Sequence, residues 1–273
     1  MAGAMGRIVG AYMSSHAPQL IIQPKVSEEY TLQLGKMHKT LMSVGEMIRS
    51  RGTDLLLVFG SDHMETFFLD NYPQLLIFTG ETSTAKFGDK EVTIHNDVEF
   101  SNYLLYKLLD DGFDVCFSQE MRLDHPFSSP LYWVLKTAGD VKVVPFHVNS
   151  NVSPRVSPKR CYQLGQAVRR AVESYHGDVR VAVYGTGGLS HYPGTPFYGK
   201  VDTEADRFII NRITEGKGSD LANLTSEWLD DTGNFELRTW IAALGAVGDV
   251  PGKVLIYERA YHIGYCVAAV EGA

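Results

Sequence analysis

The sequence predicts an α/β protein in which a central, mostly buried sheet is flanked by helices. Short apolar runs rich in β-branched residues recur along the chain, and amphipathic stretches lie between them. Continuous apolar runs of this length are typical of strands buried on both faces, as in a sheet covered by helices. The predicted strands comprise residues 7–13, 54–60, 74–78, 141–146 and 179–184.

Helices are predicted where apolar residues recur at intervals of three and four positions, because this spacing places them on one face of a helix. The pattern occurs in residues 29–51, 98–109 and 157–174. A fourth helix is expected over residues 235–244. Glycine commonly ends a helix, so we expect this one to stop near Gly245.

The organisation of the chain favours one domain. Its 273 residues contain no internal repeat and no low-complexity tract. The stretch 149–158 contains proline and serine and is the best linker candidate, but it is short. We therefore expect a single domain spanning residues 1–273.

Composition excludes several classes of protein. The formal charge is −7, from 25 Lys and Arg against 32 Asp and Glu, so the basic footprint that nucleic-acid binding requires is missing. No run approaches about 20 apolar residues, and the first residues lack the pattern of a signal peptide. The three cysteines have no paired spacing and suit a reducing compartment. We expect a cytoplasmic protein without nucleic-acid or membrane partners.

Histidines follow three of the predicted strands directly. His16 comes after residues 7–13, His63 after residues 54–60 and His191 after the last predicted strand. A single histidine is more often structural than functional. In open α/β sheets, however, ligands bind just beyond the carboxyl ends of the strands. Three histidines in the same topological position therefore predict one shared active site at that edge.

A fourth candidate is His125, which is expected on a loop. Asp124 precedes it as Asp62 precedes His63. These two acids either orient the imidazoles or are ordinary loop carboxylates, and the sequence leaves both alternatives open. The role of His262 is also open. Four other histidines are expected to be structural, namely His38, His95, His147 and His176.

Two imidazoles are ligands suited to iron, zinc or copper, and an oxygen-activating iron site usually adds one carboxylate. Glu236, at the start of the predicted helix 235–244, is a candidate for that carboxylate. It is equally explained as a surface acid favoured by the helix dipole. Spacing does not exclude three rival acids, which are Glu65, Glu120 and Glu204.

The glycine-rich run Gly185-Thr186-Gly187-Gly188 is a poor match for phosphate-binding motifs. It lacks the Lys-Ser or Lys-Thr of a P-loop, and Ser190 stands where a dinucleotide fingerprint needs Gly or Ala. The chain also lacks the Gly-x-Ser-x-Gly elbow of α/β-hydrolases. These glycines more readily allow the backbone to bend so that His191 enters the site.

Taken together, these motifs resemble those of the class III extradiol ring-cleaving dioxygenases, typified by the catalytic beta chain of protocatechuate 4,5-dioxygenase. Their order and spacing match from about residue 7 to about residue 245. The motifs are Ser14-Ser15-His16-Ala17-Pro18, Ser61-Asp62-His63, Leu123-Asp124-His125, Val143-Val144-Pro145-Phe146, Gly185-Thr186-Gly187-Gly188-Leu189-Ser190-His191, and Glu236 followed by Trp240 and Gly245.

The resemblance implies a role for each candidate residue. His16 and His63 match the two histidines that ligate iron(II), and Glu236 matches the carboxylate that completes the triad. His191 matches the catalytic acid and base, and His125 matches a second histidine that positions or protonates substrate and oxygen. Supporting roles are implied for two further motif residues, Asp62 and Ser190.

The implied activity is Fe(2+)-dependent ring opening of a catechol-type aromatic with O₂ in aromatic catabolism. The expected substrate is a dihydroxy- or trihydroxybenzoate such as protocatechuate or gallate. A homo-oligomer is expected, with a small alpha-type subunit as an optional partner. Tyr261-His262 does not align with the family's carboxylate-binding pair. Four basic residues are possible carboxylate partners, although a surface position is expected for each: Arg122, Lys159, Arg160 and Arg238.

Two alternatives belong to other classes. One is a metal-free binding or scaffold protein on the same fold, and the other is a zinc-dependent enzyme that uses the same two histidines and glutamate. Loss of metal usually appears as missing ligand residues. Here every ligand position is filled, which favours an enzyme.

Overall fold

The computed structural model describes residues 5–87 and 89–271. A mixed eight-stranded sheet lies between helices, which confirms the predicted α/β class. A separate two-stranded sheet is formed by β4 and β5. The strands are β1 (Arg7–Ser14), β2 (Leu55–Gly60), β3 (Leu75–Phe78), β4 (Thr82–Phe87), β5 (Lys90–His95), β6 (Cys116–Ser118), β7 (Lys142–Val148), β8 (Arg180–Thr186), β9 (Lys253–Ala260) and β10 (Ile263–Glu271).

The helices match the predicted amphipathic stretches, and the described residues add five helices that were not predicted. The helices are α1 (Gln19–Ile22), α2 (Glu28–Ser50), α3 (Val98–Asp110), α4 (His125–Val134), α5 (Pro158–Glu173), α6 (Thr203–Thr214), α7 (Gly218–Leu221), α8 (Ser226–Asp231) and α9 (Leu237–Val247). None of the described helices has the length and apolar character needed to cross a membrane.

The strand order explains why several loops meet. The sheet runs β6-β3-β7-β2-β8-β1-β10-β9. Its four central strands, β7, β2, β8 and β1, are parallel, so their carboxyl ends lie at one edge. The strands outside them, β3 on one side and β10 on the other, are antiparallel to their central neighbours. The loops that follow β1, β2 and β8 therefore begin side by side.

Alternate residues of the central strands pack into two hydrophobic cores, one on each face of the sheet. Ala11 and Met13 of β1 belong to the core that includes α3, α5 and α9. Tyr12, between them, belongs to the core that includes α2 and α4. Burial on both faces is the reason that the strands read as continuous apolar runs.

The predicted end of α9 is wrong. The helix continues through Gly245 to Val247, and the positive φ of +76° occurs at Gly248. Gly245 serves packing instead, because a Cβ atom there would lie 2.2 Å from the carbonyl oxygen of Tyr162. On the facing helix α5, a Cβ atom at Gly165 would lie 2.0 Å from the carbonyl oxygen of Ala242. The two glycines allow α5 and α9 to pack backbone against backbone.

Two other local expectations are also corrected. His125 does not lie on a loop, because it is the first residue of α4 and follows the N-cap Asp124. The stretch 149–158 is not a linker between domains. It connects β7 to α5, and Asn149 and Ser150 within it are fully buried.

Alanine substitutions at a packed glycine and at an unpacked glycine are expected to change the stability of the protein in opposite directions. Gly165→Ala forces a methyl group onto a backbone carbonyl and is expected to lower the free energy of unfolding by about 1–3 kcal/mol. Gly35→Ala, on α2 with nothing within 4 Å of the added Cβ, is expected to raise it by roughly 0.5–1 kcal/mol. Urea unfolding followed by circular dichroism measures both. Equal stability of the two variants would contradict the packing assigned to Gly165.

Candidate metal centre

The five predicted site residues come together near the carboxyl edge of the central strands, with the His125 ring centroid 4.2 Å from that of His63 and 5.6 Å from that of His16. His16 and His63 follow β1 and β2, and His191 lies on the loop after β8. Glu236 occupies the N-cap position of α9, and α9 packs against β8 and β1. The meeting of His16, His63 and His191 agrees with the prediction that the loops after their strands share one site.

The Glu236 carboxylate lies at the centre of the group. The Nε2 atoms of His16 and His63 lie 3.0 and 2.8 Å from the same oxygen, Oε1. Its other oxygen, Oε2, accepts a hydrogen bond from the Gly188 amide at 3.0 Å and lies 3.4 Å from His191 Nε2. Glu236 is only 1% exposed, so it is not the surface acid that the helix dipole would explain.

Burial and charge pairing act in opposite directions on these groups. Burial alone would raise the pKa of Glu236, but the imidazoles of His16, His191 and His63 hold that pKa well below its usual range. Burial lowers the pKa of His16. Burial also acts to lower the pKa of His63, but Asp124 and Glu236 outweigh it and raise the pKa to about 10. A buried carboxylate is thus compensated by a cationic His63, with His16 neutral.

Asp124 holds two of the histidines. Its Oδ2 accepts a hydrogen bond from the His63 amide at 2.6 Å, and its Oδ1 lies 2.8 Å from His125 Nδ1. His63 Nδ1 lies 3.4 Å from Oδ2 without the alignment of a hydrogen bond, so this contact is electrostatic. Asp124 therefore orients imidazoles, which was one of the two alternatives left open by the sequence.

Asp62, in contrast, is an ordinary loop carboxylate, which was the second alternative. Its carboxylate accepts hydrogen bonds from the backbone amides of Thr66 at 2.9 Å and Phe67 at 3.2 Å, so it shapes the loop after β2. His147, fully buried beneath this loop, accepts a hydrogen bond from the Asp62 amide at 3.1 Å. His147 thus has the structural role expected of it.

The three rival acids proposed from the sequence do not contact both His16 and His63. Glu65 lies 3.1 Å from His125 Nδ1, and both Glu120 and Glu204 are exposed. Among the described residues, nitrogens of His16, His63 and His125 also lie within 4.8 Å of one another, and a second group joins Glu65, Asp124 and His125. His125 Nδ1, however, already faces two carboxylates. The site therefore has one carboxylate, that of Glu236, in contact with both His16 and His63.

This donor set fits a divalent transition metal. Two imidazole nitrogens and one carboxylate oxygen form the ligand combination used by non-haem iron(II) oxygenases, and the same set suits zinc. The donors point to a common centre, and each comes from a different segment of the fold. Their supporting hydrogen bonds are of the kind that fixes metal ligands in place.

His191 is held in one tautomer. Its Nδ1 lies 2.9 Å from the carbonyl oxygen of Leu189, which can only accept a hydrogen bond. The neutral ring therefore carries its proton on Nδ1 and a lone pair on Nε2. His191 Nε2 is thus available as a proton acceptor beside Glu236.

Asp206 connects the His191 loop to the segment that precedes Glu236. This fully buried carboxylate accepts hydrogen bonds from the Ser190 amide at 3.0 Å and from the Tyr257 hydroxyl at 2.7 Å. Its Oδ1 also lies 3.4 Å from Nδ2 of Asn234. Burial raises the pKa of Asp206 to about 6. The family resemblance implied a supporting role for Ser190, but no motif in the sequence pointed to Asp206, which accepts the hydrogen bond of the Ser190 amide.

A cavity of about 390 Å³ opens beside this cluster. His63, His191, Phe235, Asn151 and Arg155 are among the residues that line it. The volume lies within the range of small-molecule sites. Arg155 belongs to the stretch 149–158, so sequence reasoning had passed over it as part of a linker.

The four basic residues proposed from the sequence lie elsewhere. Arg122 and Lys159 are exposed, as expected, and Arg160 packs its guanidinium 3.7 Å from the centroid of the Phe113 ring. Arg238 corrects the expectation of a surface position. It is fully buried and donates hydrogen bonds to backbone carbonyls, including that of Val156 at 2.6 Å.

Within the described residues the remaining histidines make no ion pair with Glu236, although His262 precedes Ile263, whose backbone pairs with His191. His38 stacks on Trp133 with ring centroids 3.8 Å apart, and its Nε2 lies 2.8 Å from a backbone carbonyl. His95 and His176 are exposed. His262, left open by the sequence, is buried against Tyr198, and burial lowers its pKa to about 4.

Comparison with known proteins identifies relatives. Residues 10–268 match a family model described as the catalytic LigB subunit of aromatic ring-opening dioxygenase. This match confirms the resemblance to ring-cleaving dioxygenases drawn from the motifs. A curated 2,3-dihydroxyphenylpropionate/2,3-dihydroxicinnamic acid 1,2-dioxygenase of Rhodococcus jostii (strain RHA1) is 27% identical over 254 residues, covering 76% of this chain and 80% of the relative.

The Escherichia coli (strain K12 / DH10B) protein of the same name is 30% identical over 189 residues, which cover 69% of this chain and 58% of that relative. The match thus spans less than two thirds of the E. coli relative. A crystal structure of an uncharacterized protein from Escherichia coli K12 gives a TM-score of 0.64 at 12% identity, covering 96% of this chain and 99% of that one. At this identity, the likeness shows the fold alone.

The raised pKa of Asp206 predicts a pH-dependent stability. The folded protein keeps the Asp206 proton up to about pH 6, whereas the unfolded chain loses it near pH 4. Between these values the unfolded state binds fewer protons, so the Asp206 contribution to the free energy of unfolding falls as pH rises. From pH 4 to pH 7, wild type is expected to lose on the order of 3 kcal/mol relative to Asp206→Asn.

Urea unfolding of both proteins at several pH values measures this difference. Asp114→Asn, at an exposed acid, serves as the matched control and is expected to follow wild type. Parallel pH profiles for wild type and Asp206→Asn would contradict the titration assigned to Asp206.

Proposed function

Because this chain belongs to the LigB family of catalytic subunits of aromatic ring-opening dioxygenases, we propose that it is a non-haem iron(II)-dependent extradiol dioxygenase that opens the ring of a catechol with O₂. One observation carries the proposal. The Nε2 atoms of His16 and His63 meet on a single oxygen of Glu236, which is the donor set of an oxygen-activating iron site.

The proposed ligands of iron(II) are His16, His63 and Glu236. Iron(II) held by these residues supplies open coordination positions, Lewis acidity and electrons for O₂. The chain's own contribution is to hold two imidazoles and one carboxylate in place before the metal binds, and His63 gives up its extra proton when it becomes a ligand. Asp124 supports this by fixing the loop that carries His63.

His191 is proposed as the catalytic base. Leu189 fixes its proton on Nδ1, which leaves Nε2 to accept the proton of a catechol hydroxyl. The imidazolium formed in this way lies 3.4 Å from Glu236 Oε2, so the carboxylate stabilises it. The same nitrogen can return the proton later in the reaction.

His125 is proposed as a second proton donor. Burial and the neighbouring His63 act to lower the pKa of His125, but the carboxylates of Asp124 and Glu65 outweigh them and raise it. A raised pKa favours the protonated ring. Since Nδ1 faces the two carboxylates, Nε2 is the nitrogen that can reach a bound molecule.

The proposed substrate is a catechol that carries a carboxylate. The names of the relatives support a carboxylate on a three-carbon side chain, as in 2,3-dihydroxyphenylpropionate. Protocatechuate and gallate, which carry it on the ring, stay predictions from the sequence. Oxygen uptake measured with catechols that carry the carboxylate on a side chain and with catechols that carry it on the ring ranks the two kinds of substrate. The product spectrum identifies the ring bond that is cleaved.

Other properties stay predictions. These are one catalytic domain over residues 1–273, a homo-oligomeric state and the optional small alpha-type subunit. A cytoplasmic location is proposed, and the three free cysteines support it, because unpaired thiols suit a reducing compartment. Anaerobic metal analysis separates the proposed iron enzyme from a zinc enzyme and from a metal-free scaffold.

The proposed roles predict two classes of variant. His16→Ala and His63→Ala each remove a ligand and are expected to lose bound iron together with activity. His191→Ala is expected to keep its iron but to lose roughly 10²–10⁴-fold in turnover, the usual contribution of a general base. Iron content after anaerobic reconstitution and oxygen uptake with a catechol measure the two effects.

A matched control is His38→Ala, which removes an imidazole that stacks on Trp133 away from the cluster. It is expected to keep both iron and turnover. Full iron occupancy in both His16→Ala and His63→Ala would remove these residues from the metal site. A change of less than threefold in His191→Ala would exclude it as the base.

A further inference from the structure

The cavity beside the metal ligands contains a basic side chain that the proposed chemistry does not use. Arg155 lines this cavity together with His63 and His191. Its side chain is only 24% exposed. A partly buried guanidinium strengthens any interaction with an anion, because fewer water molecules compete for its N–H groups.

Arg155 is held in position by two partners. Its Nε donates a hydrogen bond to the backbone carbonyl of Asn151 at 3.3 Å, and its Nη1 donates to the carboxylate of Asp230. Among the contacts of the described residues, this leaves Nη2 for a ligand. Asp230 also lines the cavity, but its side chain is 45% exposed, so solvent weakens its hold on the guanidinium.

The Phe235 ring lies near both Arg155 and the catalytic histidine. The centroid of the Phe235 ring lies 5.0 Å from that of His191 and 5.8 Å from the guanidinium carbon of Arg155. The guanidinium and the imidazole therefore lie near the same aromatic ring, and all three groups line the cavity. A catechol whose hydroxyls reach His191 can present an anionic side chain to Arg155 within the same cavity.

From this arrangement we infer that Arg155 is the specificity-determining residue of the site and binds a carboxylate at the end of a side chain on the catechol ring. The inference rests on the proposed function, since it deepens the assignment of the same cavity. The substrate carboxylate pairs with the guanidinium beside Asp230, and Phe235 packs against the apolar part of the substrate. Catechols without an anionic side chain lack this interaction.

The test compares a charged substrate with its uncharged analogue. 3-(2,3-Dihydroxyphenyl)propionate and its methyl ester differ only in the charge at the end of the side chain. In Arg155→Gln, KM for the acid is expected to rise about 10- to 100-fold, the usual effect of losing a hydrogen-bonded charge. In the same variant, kcat for the acid is expected to change by less than threefold. The KM and kcat for the ester are also expected to change by less than threefold.

Two further variants control for structure. Arg155→Lys keeps the charge without the planar fork and is expected to recover part of the lost affinity for the acid. Arg160→Gln makes the same substitution on an arginine that packs on Phe113 outside the cavity, and it is expected to behave as wild type. Thermal unfolding of each variant checks that the fold is kept.

Binding measured without turnover separates this inference from the proposed function. 3-Phenylpropionate has no hydroxyls, and 3-phenylpropanol is its uncharged counterpart. Isothermal calorimetry with wild type is expected to give at least tenfold tighter binding of the acid, and Arg155→Gln is expected to lose this preference. Equal binding of acid and alcohol by wild type would overturn the inference, even if the enzyme opens catechols.

The kinetic outcomes are equally decisive. An equal change in KM for acid and ester in Arg155→Gln, or no change in either, would overturn the role of Arg155 and leave the proposed function standing. Absence of oxygen uptake by iron-loaded wild type with every catechol would overturn the proposed function. In that case the calorimetric preference would still test whether Arg155 binds a carboxylate.

Discussion

The arrangement of the site depends on one interaction, the compensation of the buried Glu236 carboxylate by imidazoles. A carboxylate that is 1% exposed is destabilised unless opposite charge and hydrogen bonds replace the lost water. Here His16 and His63 contact one oxygen, and the Gly188 amide and His191 lie against the other. A divalent metal would satisfy the same carboxylate and both imidazoles at once, so the forces that assemble the cluster also prepare a metal site.

Two acids outside the central cluster, Asp124 and Asp206, hold together the chain segments that carry the site residues. Asp124 binds the backbone of His63 and the ring of His125, and so fixes the loop after β2 against the start of α4. Asp206 binds the backbone next to His191 and the side chain of Asn234, two residues before Glu236. Each acid therefore joins two segments that carry site residues, which limits the freedom of long loops. Such support is what separates a preorganised site from a group of nearby polar residues.

The sequence predicts the parts of the fold that depend on local pattern. The parallel strands appear as apolar runs because both faces are buried, and His16, His63 and His191 are recognisable because each follows such a run. Contacts between distant segments leave no comparable pattern. The packing role of Gly245 depends on Tyr162 of a facing helix. The place of Arg155 in the cavity depends on how the stretch after β7 folds over the sheet edge, so neither was predicted.

The central claim is that His16, His63 and Glu236 hold one ferrous ion. Anomalous diffraction at the iron absorption edge, on crystals of the anaerobically reconstituted protein, tests this claim most directly. The account predicts a single strong peak within bonding distance of His16 Nε2, His63 Nε2 and the Glu236 carboxylate. A peak on the neighbouring acidic group of Glu65, Asp124 and His125, with none at Glu236, would contradict it.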